Sequence, residues 1–317
     1  MTARGNERVL GYLAILAGAV FFGAWPTAAK FALVDLHPLT IVFYTQLIPG
    51  LVFLPWARGI RLGRADVRLV AATTIAGAVL GPVLYFYGLE RTTASNAVLL
   101  SNTESFFTMI LAFLLLHERL APRGYAALAA IAVGAFLVTT ELRFGDVTFF
   151  DHLIGNVILL ASASFWALNN VGSTVLLRRV RILPLLALQL TLGSAILLPI
   201  VLATGVSLGV PLHVLPFLLF LALAGIGVFA VLFFYAFRTL GAMRAGAVLT
   251  TSALWGVLLA LYVFPEQTLS LVQVGGGALM IGALVVLYLL SERAPRSPAA
   301  EEGETLKAPA SDGPDPP

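Results

Sequence analysis

The chain has 317 residues, 59% of them hydrophobic and only 11% charged, with a mean hydropathy of +0.96. A soluble domain carries about 25% charged residues, so a mostly water-facing surface is excluded, and the absence of cysteine excludes disulfides, thiolate catalysis and cysteine-held metals. The net charge of +3 does not indicate nucleic acid, because the arginines sit in short loops beside apolar runs, where they set membrane topology.

Those apolar runs are roughly 18–25 residues long, enough to cross about 30 Å of hydrocarbon. They lack the alternation of an outer-membrane barrel strand. The expectation is an all-α integral membrane protein with ten transmembrane helices, at 10–33, 39–57, 67–88, 94–116, 122–140, 153–177, 183–204, 214–237, 242–263 and 268–290. Of the 19 lysines and arginines, 16 fall on one set of alternating loops and ends, and only Arg91 and Arg143 on the other. The positive-inside rule then puts both termini in the cytoplasm of a cell-membrane protein.

In span one, Gly23, Thr27 and Lys30 share a face, and Pro26 removes a backbone donor and is expected to kink the helix. Lys30 either snorkels to the interface or leans inward to pair with a carboxylate. Arg4 and Arg8 ahead of this span resemble a signal peptide, but its counterpart at 153–177 argues for a retained helix. Span two offers Tyr44 and Gln46 to a cavity and ends on Trp56, an interface anchor. Span three carries "GAVLG" at 77–81, a close-packing pattern, with Tyr85 and Tyr87 further on.

Span four, "VLLSNTESFFTMILAFLLLHE" at 98–118, places Glu104 about 15 Å deep at 1.5 Å per residue. A charge there costs about 2.5–3.5 kcal/mol on translocon scales, and is a functional hypothesis by default. Ser101, Glu104, Ser105 and Thr108 form one polar stripe. Span six puts Ser162, Trp166, Asn169 and Ser173 on one face with Asn170 beside it, span seven carries Gln189, and span nine carries Trp255 at mid-depth. Each is a candidate for the cavity, with helix–helix packing as the alternative. The four histidines fall at loops or span ends without metal-ligand spacing, and the tail at 291–317 reads as disordered and cytoplasmic.

The decisive pattern is internal. "LYFYGLERTTASNAVLLSNTESFFTMILAFLLLHERLAPRGYAALAAIAVGAFLV" aligns without gaps to "LFFYAFRTLGAMRAGAVLTTSALWGVLLALYVFPEQTLSLVQVGGGALMIGALVV" at an offset of 148. Tyr87 meets Tyr235, Thr103 meets Thr251, Glu118 meets Glu266, and Glu104 meets Ser252; upstream, Gln46 pairs with Gln189 and Phe22–Gly23 with Trp166–Ala167. Five spans per repeat is odd, so the second repeat enters from the opposite side. The expected architecture is two inverted five-helix repeats, 1–145 and 146–290, with a site between them near the midplane.

On "LAFLLLHERLAPRGYAALAAIAVGAFLV", its partner "ALYVFPEQTLSLVQVGGGALMIGALVV" and the Phe22–Gly23 and Trp166–Ala167 pairs, the chain resembles the EamA branch of the drug/metabolite transporter superfamily over about residues 10–290. Family members often carry an arginine in the second span, where Gln46 and Gln189 stand here, so that role does not transfer. The resemblance implies a secondary transporter, an exporter of small organic metabolites such as amino acids, using alternating access through a central cavity. The alternatives are proton-coupled export of cationic drugs, or a facilitative channel-like permease. Glu104 with Lys30 suits a zwitterion; Glu104 alone suits a cation exchanged for protons. The candidate substrate or coupling residues are Glu104, Lys30, Ser101, Thr108, Trp166, Asn169, Asn170, Gln46, Gln189, Tyr87 and Trp255. An intramembrane enzyme is disfavoured, since all six aspartates lie outside the predicted core and no serine-centred elbow is present. No cofactor, metal or nucleic-acid partner is expected, and ten spans suffice for a monomer.

Overall fold

A computed structural model describes residues 3–58, 60, 62–116, 122–140, 142, 149–240, 245, 248–249 and 251–292. Among these the regular structure is helical, with no strand. The helices are α1 (Ala3–Asp35), α2 (Pro38–Phe53), α3 (Arg64–Glu90), α4 (Ala94–Ser101), α5 (Thr103–Leu116), α6 (Pro122–Thr140), α7 (Phe149–Leu176), α8 (Ile182–Ala203), α9 (Leu215–Leu240), α10 (Ser252–Val263) and α11 (Leu271–Glu292). Among the described residues six helices are long and apolar enough to cross a membrane: α1, α2 with the 3-10 turn Leu54–Ala57 that continues it, α3, α7, α8 and α9; stretches of α6, α10 and α11 are shorter apolar helices. Glu118 and the tail from 293 lie outside the described residues.

Helix starts follow local chemistry. Pro38 opens α2, with the His37 Nδ1 accepting from the Leu39 N–H at 3.2 Å. Thr93 caps α4 by accepting from the Asn96 N–H at 3.1 Å. Ser270 and Gln273 cap α11 reciprocally, each side chain accepting from the other's N–H. The expected kink at Pro26 takes no helix break: α1 runs through it unbroken.

The fourth apolar run differs from expectation. Rather than one helix over 94–116, it turns at Asn102, whose N–H bonds the Leu99 carbonyl at 3.2 Å. The cause is a run of short polar side chains that bond back to the backbone. Ser101 donates to the Ala97 carbonyl, Asn102 to Val98 and Thr103 to Leu100. A turn at Thr251, the residue aligned with Thr103, likewise precedes α10. α3 and α9 also share a feature: each contains a π-helical stretch, Ile75–Leu80 and Phe220–Val228. Such wide turns cluster at functional sites.

The pairing of helices places the core. α1 packs against α10 and the second half of α9; α7 packs against α5 and the second half of α3. α2 lies on α8, and α6 on α11. Three contacts depend on missing side chains. A Cβ on Gly23 would sit 2.6 Å from the Ser252 carbonyl oxygen, one on Gly134 2.6 Å from the Gly276 carbonyl oxygen, and one on Gly88 2.9 Å from the Gly155 carbonyl oxygen. These are backbone-to-backbone approaches, where small residues let helices close. Gly225 seats the Trp25 indole and Gly77 seats Asn169, and both leave no room for a Cβ.

This packing predicts that Gly23→Val lowers stability by about 1–3 kcal/mol, the cost of overpacking, read as a fall in the thermal midpoint of the purified protein. Gly275→Ala, where an added Cβ meets nothing within 4 Å, is expected to hold or raise it.

Candidate functional site

The interior polar residues converge on one cavity of about 120 Å³, against about 10–15 Å³ for one water. It has room for a small organic molecule. Phe22 of α1, Gln46 of α2, Gly77 and Ala78 of α3, and Glu104 of α5 contribute from the first half of the chain. α7 contributes Trp166, Asn169 and Asn170, α8 contributes Leu186, Gln189 and Leu190, and α9 a hydrophobic wall from Ile226 to Phe234. The cavity extends toward the helix ends that carry Arg178 and Arg181, since Leu186 and Phe234 stand one to two turns from those ends.

Glu104 owes its position to the break at Asn102, which puts it in the first turn of α5. The first turn of a helix favours a negative charge. Across the helix pair, Asn170 donates from Nδ2 to Glu104 Oε1 at 2.5 Å. The described lining holds this one carboxylate and no lysine or arginine.

The two glutamines behave differently. Gln189 is tied: its Nε2 donates to Thr73 Oγ1 at 2.8 Å, Ser173 Oγ at 3.1 Å and Asn169 Oδ1 at 3.2 Å. Gln46 is 1% exposed, lines the cavity, and its Nε2 has no hydrogen-bond partner.

The end away from those arginines is closed by rings. Trp25 stacks on Tyr85 at 4.7 Å, meets Phe86 edge-on at 5.2 Å and reaches Trp166 at 6.0 Å. Tyr85 lies 5.2 Å from Trp166. Beyond the rings a buried polar chain links four segments: Gln273 donates to Asn96, Asn96 to Thr92, and Thr92 to Asn156. At the same end Thr40 and Tyr44 donate to the Ser207 and Leu208 carbonyls, both at 2.8 Å.

Six sequence candidates therefore line the cavity: Glu104, Trp166, Asn169, Asn170, Gln46 and Gln189. Five do not. Lys30 lies in a second, more open cavity with Glu90, Arg91, Thr92, Thr93, His152 and Gln267. The pairing of Lys30 with Glu104 fails because α1 packs on α4 and α10, whereas α5 packs on α7. Trp255 is 49% exposed, turned away from α1, because Ser252, Ala253, Gly256 and Ala260 take the inward face of α10. Tyr87 sits edge-on to His37 at the far end. Ser101 and Thr108 spend their hydroxyls on the Ala97 and Glu104 carbonyls. Trp25 and the wall at Phe229, Phe233 and Phe234 were not legible as site residues; only the aromatic density of "VFAVLFFYAF" hinted at the latter.

Deleting the Gln189 amide as Gln189→Leu takes a donor from Thr73, Ser173 and Asn169, the first two of them buried, and is expected to cost about 1–3 kcal/mol of stability. Gln46→Leu breaks no bond of its Nε2 and is expected to leave the thermal midpoint unchanged or higher. Equal losses in the two variants would contradict this contrast.

The EamA-like transporter family model matches residues 9–140 and again 153–289. A relative in Methanothermobacter thermautotrophicus, described as an uncharacterized transporter, is 30% identical over 300 residues, 89% of this chain and 87% of that one. The pseudopaline exporter CntI of Pseudomonas aeruginosa is 27% identical over 53% of this chain and 56% of its own. The inner membrane transporter YhbE of Escherichia coli is 26% identical over 60% of this chain and 62% of its own. A solved crystal structure shares the fold at a TM-score of 0.62 and 18% identity, covering 92% of this chain and all of that one. These matches indicate a transporter rather than an enzyme. The chain belongs to the EamA-like transporter family.

Proposed function

We propose that this transporter moves small amine-bearing organic molecules by alternating access, with the Glu104 carboxylate receiving the amine. The observation that carries this reading is the lining itself. One carboxylate, four side-chain amides and an aromatic and aliphatic wall face the cavity, without a lysine or arginine among the described lining residues. A carboxylate in such surroundings is best offset by a proton or by a cation. The zwitterion reading built on Lys30 loses its cation to the second cavity.

Two inverted repeats, 1–145 and 146–290, are the reading of the moving halves. The paired family matches support it. So do the equivalent helix contacts: α1 with α10 and α9 mirrors α7 with α5 and α3, while α2–α8 and α6–α11 join the two halves. The matched seats of Trp25 on Gly225 and Asn169 on Gly77 repeat the relation at single residues. With the arginine-rich loops and both termini in the cytoplasm, the cavity faces inward and the Trp25–Tyr85–Trp166 stack closes the outer side. Export starts from this state: an amine displaces a proton from Glu104, the rings part, and an outside proton takes the carboxylate back. The chain has no nucleotide-binding motif, so this reading assigns the drive to a proton gradient rather than to ATP.

Counterflow in proteoliposomes tests this with isoamylamine, with and without a pH gradient. Wild type is expected to show saturable, gradient-driven flux. Glu104→Gln, which keeps the shape and removes the charge, is expected to lose about 10–100-fold, the worth of a hydrogen bond to a charged group. Gradient-driven flux unchanged by Glu104→Gln would overturn the assignment.

A further inference from the structure

The asymmetry between the two glutamines carries a statement about specificity. Gln46 and Gln189 are aligned in the two halves and stand on the packed pair α2 and α8. Both border the cavity. The Gln189 donors are consumed by Thr73, Ser173 and Asn169. The Gln46 donor is buried to 1% exposure with nothing to bond. Of the other amides on this lining, Asn170 Nδ2 donates to Glu104, and Asn169 Oδ1 accepts from Gln189 and Ser173. A buried amide N–H without a partner is costly, and because Gln46 is a lining residue, the cavity is where its side chain finds one.

We infer that Gln46 is a specificity-determining residue that donates to a carbonyl or carboxylate oxygen of the transported molecule, so the site favours amines that also carry such an acceptor. The inference rests on the reading of the Glu104 cavity as the substrate site. Glu104 takes the amine, and Gln46, on a different helix, takes the acceptor. A simple amine fills one end of the site and leaves the Gln46 donor stranded. Sites built to hydrogen-bond a substrate group discriminate strongly against the analogue that lacks it. A neutral donor at this position also explains how a cavity without a lysine or arginine in its described lining accepts an acceptor-bearing amine without a second charge to desolvate.

The test is counterflow in proteoliposomes with leucinamide and isoamylamine, which differ only in the acceptor-bearing carboxamide. Wild type is expected to prefer leucinamide by at least about 10-fold in kcat/KM. Gln46→Met, similar in volume but without the donor, is expected to reduce that preference to about twofold or less, read as the ratio of kcat/KM for the two probes. Gln46→Leu, which also lacks the donor, is expected to reduce it as well. A wild-type thermal midpoint shows that each variant is folded. Isoamylamine flux in wild type with no preference for leucinamide, or a preference that survives both variants, overturns the role of Gln46 and leaves the Glu104 site standing. Absence of flux for both probes in wild type overturns the site reading and this inference together.

Discussion

A carboxylate inside an apolar helical bundle must be neutralised, paired or hydrogen-bonded, and much of this molecule is arranged around that requirement. Glu104 is held by a bond from Asn170 and stands in the first turn of α5. That turn exists only because the chain stops and restarts at Asn102. In hydrocarbon, a break of this kind is tolerated where the freed carbonyls are satisfied locally and the backbone faces protein or a cavity. Ser101, Asn102 and Thr103 supply the local bonds. The break, the carboxylate and the cavity are therefore one device.

The scaffold around the device depends on glycine. Where helices meet at Gly23, Gly134 and Gly88, carbonyl oxygens of the partner helix occupy the space a side chain would need. Such close approaches pack rigid units, and the wide turns in α3 and α9 lie beside the cavity. The ends of the site are unequal. Rings and a buried Gln273–Asn96–Thr92–Asn156 chain close one end. The residues aligned with Thr92 and Gln273 in the other half are Leu240 and Tyr125, which cannot rebuild that chain. The closed end is thus specified by side chains from both halves whose aligned counterparts differ.

Much of this was legible in the sequence, for a physical reason. Apolar runs of membrane length and their bounding arginines are properties of consecutive residues, so each of those runs carries helix among the described residues, and some helices extend past them. Glu104, Asn169 and Asn170 were legible because amides and a carboxylate within apolar runs need a reason to be there. The break at Asn102 was hidden because "SNTES" fits a polar helical stripe as readily as a turn. Lys30 and Trp255 were misplaced because one residue's depth does not tell which helix will face it. That α1 meets α10 rather than α5 is a property of the whole bundle. The free Gln46 donor was invisible for the same reason: its aligned partner Gln189 has the same residue type and opposite satisfaction.

The central claim is that the Glu104 cavity is where the transported molecule sits. The native chain has no cysteine, so a single thiol can report on it directly. Ala230→Cys places that thiol on the cavity wall contributed by α9. The measurement is its labelling rate by a water-soluble thiol reagent, with and without saturating leucinamide. Slower labelling with the amine present, and no slowing in the Glu104→Gln background, is the predicted result. Labelling at the same rate with and without the amine, on protein that transports it, would contradict the account.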